Sequence, residues 1–303
     1  MNQDIALSYI IVTRNKLPYL KVILGKLIDN LKADEEIMVA DGASTDGSRE
    51  YLEGLKKAGS IGYLVSEPDF GVGHAMNKLI LTARGALVKL ITDDDAFDYP
   101  AIAACKAFML AHPAIDMIGT EGGVLHTPSR VFDERQRDRA VRALAYAGDY
   151  RKWLADKKPF SFCELGVMFR RSALPVIGLR DLTFNRADME LSFRVTAGKV
   201  ALAWYTGYTY VNIMNPQSAS LTQMRKIKRE TERLNKFYLD RDPDSFVIEK
   251  LKVARNRLRM GFGRGTKEPA GPFEQRWPQV LKTAEDWIGA MNAETKPEFI
   301  YNR

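Results

Sequence analysis

Over the first hundred residues the apolar positions fall into two alternating kinds of segment. Leu7–Thr13, Glu36–Asp41, Ile61–Ser66 and Leu87–Thr92 are short, nearly continuous apolar runs and read as buried strands. Between them lie helically spaced segments. One runs from Pro18, which suits a first helical turn, to about Leu31, one ends at Ala58, and one covers Gly73–Ala83. The polar cluster Asp41-Gly42-Ala43-Ser44-Thr45-Asp46-Gly47 is a loop in which Thr45 or Asp46 caps the second helix. Strands alternating with such helices predict βαβ units and a mostly parallel sheet, hence an α/β fold. Right-handed crossovers bring the carboxyl ends of those strands to one edge, where open α/β sheets bind ligands. The ends carry Thr13-Arg14-Asn15, Asp41-Gly42, Glu67-Pro68-Asp69 and Asp93-Asp94-Asp95, so polar and acidic groups converge on one crevice.

Beyond residue 100 the alternation loosens. The pattern predicts a helix over Pro100–Ala111, a short strand at Met117–Gly119 and a charged surface helix over Arg135–Tyr146. A strand over Phe160–Phe169, a helix over Ala187–Thr196 and a strand over Val200–Val211 follow. After Pro216 a helical stripe of Leu221, Met224, Ile227, Leu234 and Tyr238 is interleaved with Arg225, Lys226, Lys228, Arg229, Arg233 and Lys236. Val247, Leu251 and Leu258 mark a second basic amphipathic helix, which Gly261–Gly265 breaks.

Composition sharpens that division. The 303 residues are 46% hydrophobic and 27% charged, which excludes a disordered chain, a collagen-like repeat and a disulfide scaffold. The net charge is +7, but residues 1–220 hold 27 basic and 26 acidic side chains, and residues 221–303 hold 18 and 12. A near-neutral domain over 1–220 and a basic, mainly helical extension over 221–303 are expected. Cys105 and Cys163 show neither zinc-site nor disulfide spacing, which fits a reducing cytosol. Met1-Asn2-Gln3-Asp4 lacks the basic start of a secretory signal, and no run of about 18 apolar residues occurs. A cytoplasmic protein is expected, at most peripheral on the inner face of a membrane.

The acidic triplet needs a positive partner. Three adjacent carboxylates repel one another, and a hard divalent cation, Mg²⁺ or Mn²⁺, commonly takes one or two carboxylates together with substrate phosphates. The plain alternative is a solvated turn.

At these residues the chain resembles the family 2 glycosyltransferases. Ile10-Ile11-Val12-Thr13-Arg14-Asn15 is similar to their opening strand, and Asp41-Gly42-Ala43-Ser44-Thr45-Asp46-Gly47-Ser48 to their second-strand signature. Glu67-Pro68-Asp69-Phe70-Gly71-Val72-Gly73-His74-Ala75-Met76-Asn77-Lys78 resembles the segment before the acid motif, and Asp93-Asp94-Asp95 fits Asp-x-Asp. Ala187-Asp188-Met189-Glu190-Leu191-Ser192-Phe193-Arg194 resembles the segment with the catalytic base. The ordered set spans residues 8 to 211. It implies a GT-A fold and inverting transfer from a nucleotide-diphosphate sugar, UDP by family prevalence, to a glycan or lipid-linked acceptor, as in bacterial surface polysaccharide assembly.

Carried onto this sequence, the resemblance makes Asp188 the general base and Asp95 the ligand to Mn²⁺ or Mg²⁺. The donor site takes Thr13, Arg14, Asn15, Asp41, Asp69, Asn77, Lys78, Asp93 and Asp94. Two departures stand out: Ala187 precedes the base where many members have Glu, and Glu164-Leu165 replaces the His-Gln of some relatives.

Other readings remain open at this level. A sugar-phosphate nucleotidyltransferase would need a Gly-rich loop where Thr13-Arg14-Asn15-Lys16 stands. A non-catalytic sugar-nucleotide scaffold would share the same binding residues. Gly71-Val72-Gly73-His74-Ala75-Met76 only half-matches a dinucleotide fingerprint, and Asp69-Phe70-Gly71 lacks the other kinase motifs. Glu190 is the reserve base. His74 is either a phosphate or sugar contact or an ordinary helix-start residue; His112 reads as a cap or surface group, and His126 has no assignment. Trp204 and Tyr205 either border the acceptor pocket or belong to the core. The basic tail is a solvated face, a seat on anionic lipid, or a protein-binding or nucleic-acid-binding surface. Nucleic acid is disfavoured, since the acidic crevice repels phosphates and no recognition motif appears.

Overall fold

The computed structural model describes residues 4–125, 141–184, 187–215, 224–242 and 272–302. His126, the first part of the helix expected over 135–146, Leu221 and the second amphipathic helix with its glycine break lie outside the described residues.

Strands β1 (Leu7–Thr13), β2 (Glu35–Asp41), β3 (Tyr63–Ser66) and β4 (Leu87–Ile91) match the apolar runs to within two residues. All four are parallel, with β1 between β2 and β4 and with β3 outside β2. The crossovers are α1 (Leu17–Asn30), α2 (Ser48–Lys57) and α3 (Val72–Thr82). Spacing decides their seating: α1 buries Leu20, Ile23, Leu24 and Leu27, one helical stripe against the sheet. The cap of α2 is Gly47, in the left-handed region at φ 90°, where a Cβ would be strained. Asp46 serves from one residue earlier, accepting from the Ser48 N–H at 3.1 Å and from the first amide of α1, Leu17, at 2.9 Å.

The second half extends the sheet. It contains β5 (Ala96–Phe97), α4 (Tyr99–Ala111), β6 (Met117–Leu125), β7 (Val141–Leu144), α5 (Ala147–Asp156) and β8 (Met168–Arg170). Then come α6 (Ala187–Ala197), β9 (Leu202–Ile213), α7 (Met224–Leu239), α8 (Phe273–Thr295) and β10 (Phe299–Ile300). The strand order is β10-β9-β6-β8-β4-β1-β2-β3, with β5 on β9 and β7 on β6. β8 enters antiparallel between β4 and β6, β6 and β9 are again parallel, and β5, β7 and β10 add antiparallel edge pairings. The result is a mixed α/β fold, mostly parallel and flanked by helices.

Three local expectations are corrected. The strand at Met117 runs on to Leu125. Residues 141–144 form an edge strand paired with the end of β6, with Val141 buried and Arg142 and Ala143 exposed. The apolar stretch 160–169 is broken by a 3-10 turn over Glu164–Gly166. There Gly166 abuts Thr120 and Tyr210 so closely that a Cβ would sit 2.8 Å from the threonine oxygen.

Helix α8 had no counterpart in the sequence reading. Its Trp277, Val280, Leu281, Ala284 and Ile288 join the core of the sheet, and β10 pairs with β9. The far end of the basic region is therefore built into the sheet that carries the strand ends.

Candidate active site

The parallel register aligns Thr13 with Asp41 and Asp41 with Ser66, so the strand ends form one row. Asp41 is 1% exposed. It accepts from the Ser66 hydroxyl at 2.6 Å and from both the hydroxyl and the N–H of Ser44. Asn15, at φ 53°, ties the same loop: its N–H donates to Ser44 Oγ at 2.8 Å, and its side-chain oxygen accepts from the Thr45 N–H at 2.8 Å. Arg14 and Asp69 meet over Gly42, where an added Cβ would lie 3.3 Å from each. That glycine allows the two side chains to close on the backbone.

Around Asp69 gather Lys78 at 2.6 Å and His74 at 3.4 Å, while Lys78 also reaches Glu67 at 2.9 Å. Burial opposes the charge on Lys78, but the two carboxylates outweigh it and raise its pKa. Asn77 is engaged elsewhere. Its amide donates to the Arg180 carbonyl at 2.9 Å and accepts from the Arg180 N–H at 2.8 Å. Arg180 in turn is 3% exposed and ion-paired with buried Glu164, so the departure at 164 has a local partner.

The acidic triplet sits beyond β4, and its three carboxylates have different surroundings. Asp93 accepts from the Thr13 hydroxyl at 2.6 Å. Asp94 is paired with Lys16 at 2.5 Å and accepts from the Asn215 amide at 2.8 Å. Asp95 is held by the end of β9, with the Ile213 N–H at 2.6 Å and Asn212 at 3.2 Å, and by the Thr92 hydroxyl at 2.5 Å. Asp93 and Asp95 are 7% and 2% exposed. Burial first, and the charge of Asp94 second, raise both of their pKa values. The pair is thus short of positive charge even with Lys16 beside it.

Asp188 lies on the first turn of α6. Glu190 is removed from the chemistry by a two-point ion pair with Arg194 at 2.7 and 3.0 Å. Burial first, and the charge of Asp188 second, push the Cys163 thiol up to about 12. Trp204, fully buried, donates to Glu121 at 2.7 Å, and Tyr205 stacks on Phe299, so both belong to the core. His112 is the C-cap of α4.

Residues 8–175 match the sequence profile of glycosyl transferase family 2. The chain belongs to that family. No curated protein matches the family 2 chain in sequence. Among solved structures it is similar to S. aureus TarS, at TM-score 0.53 and 14% identity over 95% of this chain and 50% of the TarS chain. A shorter S. aureus TarS chain, residues 1–349 in complex with UDP-GlcNAc, gives the same TM-score and identity over 95% of this chain and 82% of that one. The mannosyltransferase PcManGT from Pyrobaculum calidifontis, in complex with GDP-Man and Mn²⁺, matches at TM-score 0.53 and 18% identity, covering 97% of this chain and 79% of that one. At such identities these likenesses speak for the fold, GT-A, and not for substrates. The family 2 chain spans half the length of the longer TarS chain.

Family 2 chemistry implies a divalent cation, and the donor set is compatible with one. Asp93 and Asp95 are buried, and the charge of Asp94 works against theirs, which a divalent cation would offset. Among the described residues, however, no three His, Cys, Asp or Glu side chains form a cage of their own. An ion here would draw much of its shell from a diphosphate and water, in the manner of Mg²⁺. Sequence reasoning missed Lys16, Ser44, Ser66, Asn212, Asn215 and Trp277. Lys16 had a usable signal, as a lysine at the end of β1 facing an acidic triplet; the others depend on tertiary neighbours.

Proposed function

We propose that the chain transfers a sugar from a nucleoside diphosphate donor, with UDP as the nucleotide, to a hydroxyl of a glycan or lipid-linked acceptor, inverting the anomeric carbon. The observation that carries this reading is the row of strand ends, where Thr13 holds buried Asp93, Lys16 pairs with Asp94, and Asp41 with Asn15 anchors the Ser44 loop beside them. Supporting it, Asn15, Asp41 and Ser44 form a hydrogen-bonded wall suited to a nucleoside, with Arg14, Lys16 and Lys78 as cations around it.

In this reading Asp188 takes the proton of the acceptor hydroxyl as its oxygen bonds to the anomeric carbon. The bond to the diphosphate oxygen breaks on the opposite face, and the electron pair leaves with the nucleotide. A cation held by Asp95, with Asp93 beside it, would supply neutralisation of the leaving diphosphate. The wall around Asp41 and Asn15 orients the nucleoside. Thr13, by holding Asp93, fixes the floor beneath the donor.

The basic region over 221–303 is read as a seat on an anionic membrane surface beside a lipid-linked acceptor. Exposed Lys228, Arg229, Arg233 and Lys236 on α7, with Phe237 80% exposed among them, support that reading.

The test is Asp188→Asn, assayed with donors found in a thermal-shift panel of nucleotide sugars with and without Mn²⁺. A donor at a hundred times its Kd stabilises by about 2.7 kcal/mol. Product formation is expected to fall by about a hundredfold or more while the donor-induced shift is kept. Undiminished turnover would remove Asp188 as the base, and a panel with no stabilising donor would remove the transferase reading.

A further inference from the structure

The proposed metal-and-diphosphate site is supported from an unexpected place, the helix α8, about a hundred residues beyond the segment that matches the family profile. Trp277 is 1% exposed, and its indole N–H donates to the backbone carbonyl of Asp94 at 3.3 Å. The ring stands edge-on to Tyr19, with centroids 5.1 Å apart at 82°. Tyr19 lies under the Lys16 ammonium, 5.3 Å from the ring centroid, and that ammonium is the ion-pair partner of Asp94. Asn215, just past β9, donates to the same carboxylate oxygen. Three distant segments thus grip the middle residue of the triplet by backbone and side chain together.

The consequence concerns Asp93 and Asp95. With the carbonyl and carboxylate of Asp94 both tied, the loop has little freedom to rotate, and its two neighbours keep a fixed separation. Two buried carboxylates that repel one another would otherwise drift apart. A cation sharing them with a diphosphate needs that separation set beforehand. We infer that Trp277 is a positioning residue for cation-assisted nucleotide binding, so that α8 is part of the donor site. The inference rests on the proposed reading of the triplet as the cation end of that site.

The experiment measures UDP binding to the full chain by calorimetry, with and without Mn²⁺, and takes the ratio of the two Kd values as the metal increment. Trp277→Phe keeps an aromatic ring against Tyr19 and removes only the N–H. It is expected to shrink the metal increment by about fivefold or more while the metal-free UDP affinity stays at the wild-type value. A general loosening would weaken both. Asn292→Ala, which releases the other end of α8 from Asp98 and the Tyr208 carbonyl, is expected to leave the increment intact.

An unchanged increment in Trp277→Phe overturns the inference, as does an equal loss in Asn292→Ala. If Trp277→Phe does not fold, the isosteric benzothienylalanine placed at 277 alone carries the same expectation. If wild-type protein binds UDP with no metal increment at all, the reading of the triplet fails, and the inference fails with it. An increment present in the wild type and retained in the variant overturns the inference alone.

Discussion

Lys89 shows how closely the chain packs beneath the crevice. It lies on β4, is 2% exposed, donates to the Leu165 carbonyl and sits 5.6 Å from the Phe97 ring centroid. Burial lowers its pKa from 10.5 to about 8. Between those values the unfolded chain holds the proton that the folded chain has released, so Lys89 makes stability rise with pH across that window. Lys89→Met removes the titration. The unfolding free energy of the variant minus that of the wild type, followed by urea titration, is expected to fall by roughly 2–3 kcal/mol between pH 8 and 10.5. A flat difference would mean that the ammonium is solvated. The same scale separates the candidate carboxylates. Asp188 and Glu190 are two residues apart on one helix, yet Glu190 is locked to Arg194. Sequence offset alone left both in play; the ion pair sets them apart.

At the scale of elements, legibility followed burial. β1 to β4 were readable because strands covered on both faces must be apolar throughout, and α1 because one stripe faces the sheet. The turn at Glu164–Gly166 was unreadable because it answers to Thr120 and Tyr210, residues far along the chain. Helix α8 did carry a stripe, Trp277, Val280, Leu281, Ala284 and Ile288, but Pro278 inside it and a mixed-charge surround disguised the pattern. The Asp41–Gly47 loop does start α2, but its cap is Gly47 rather than Thr45 or Asp46, and Asp46 instead accepts from first-turn amides of two helices at once. Asp46→Ala should therefore cost about 1–2 kcal/mol in urea unfolding, as loss of a helix cap does, with α1 and α2 loosening together. Hydrogen exchange that increases in the first turn of only one of them would contradict the shared role.

For the whole molecule, the uneven charge carries the expectation. Arg233 lies 5.4 Å from the Phe184 ring centroid, which sets α7 beside the loop containing exposed Leu182. Leu182 adjoins Gly73 at the start of α3, after exposed Phe70 and Val72, so basic and apolar groups share one side of the crevice mouth. The protein is expected to float with phosphatidylglycerol vesicles at low salt and to be released at high salt. Arg229→Ala combined with Arg233→Ala should weaken binding by roughly tenfold or more. Equal flotation with neutral phosphatidylcholine vesicles would show that charge is not the cause. Among the described residues no helix is long and apolar enough to cross a membrane.

The grip on Asp94 also bears on how the chain acquires its shape. Lys16, Asp94, Asn215 and Trp277 are separated by between 62 and 121 residues from one to the next along the sequence, yet they meet at one loop. Contacts of such high sequence separation close late, because the ordering of the intervening chain must come first. The β1–β4 half is rich in nearer pairings and can collapse ahead of them. On refolding from urea, secondary structure should thus return before the acidic loop is set, and nucleotide binding should be among the last properties regained.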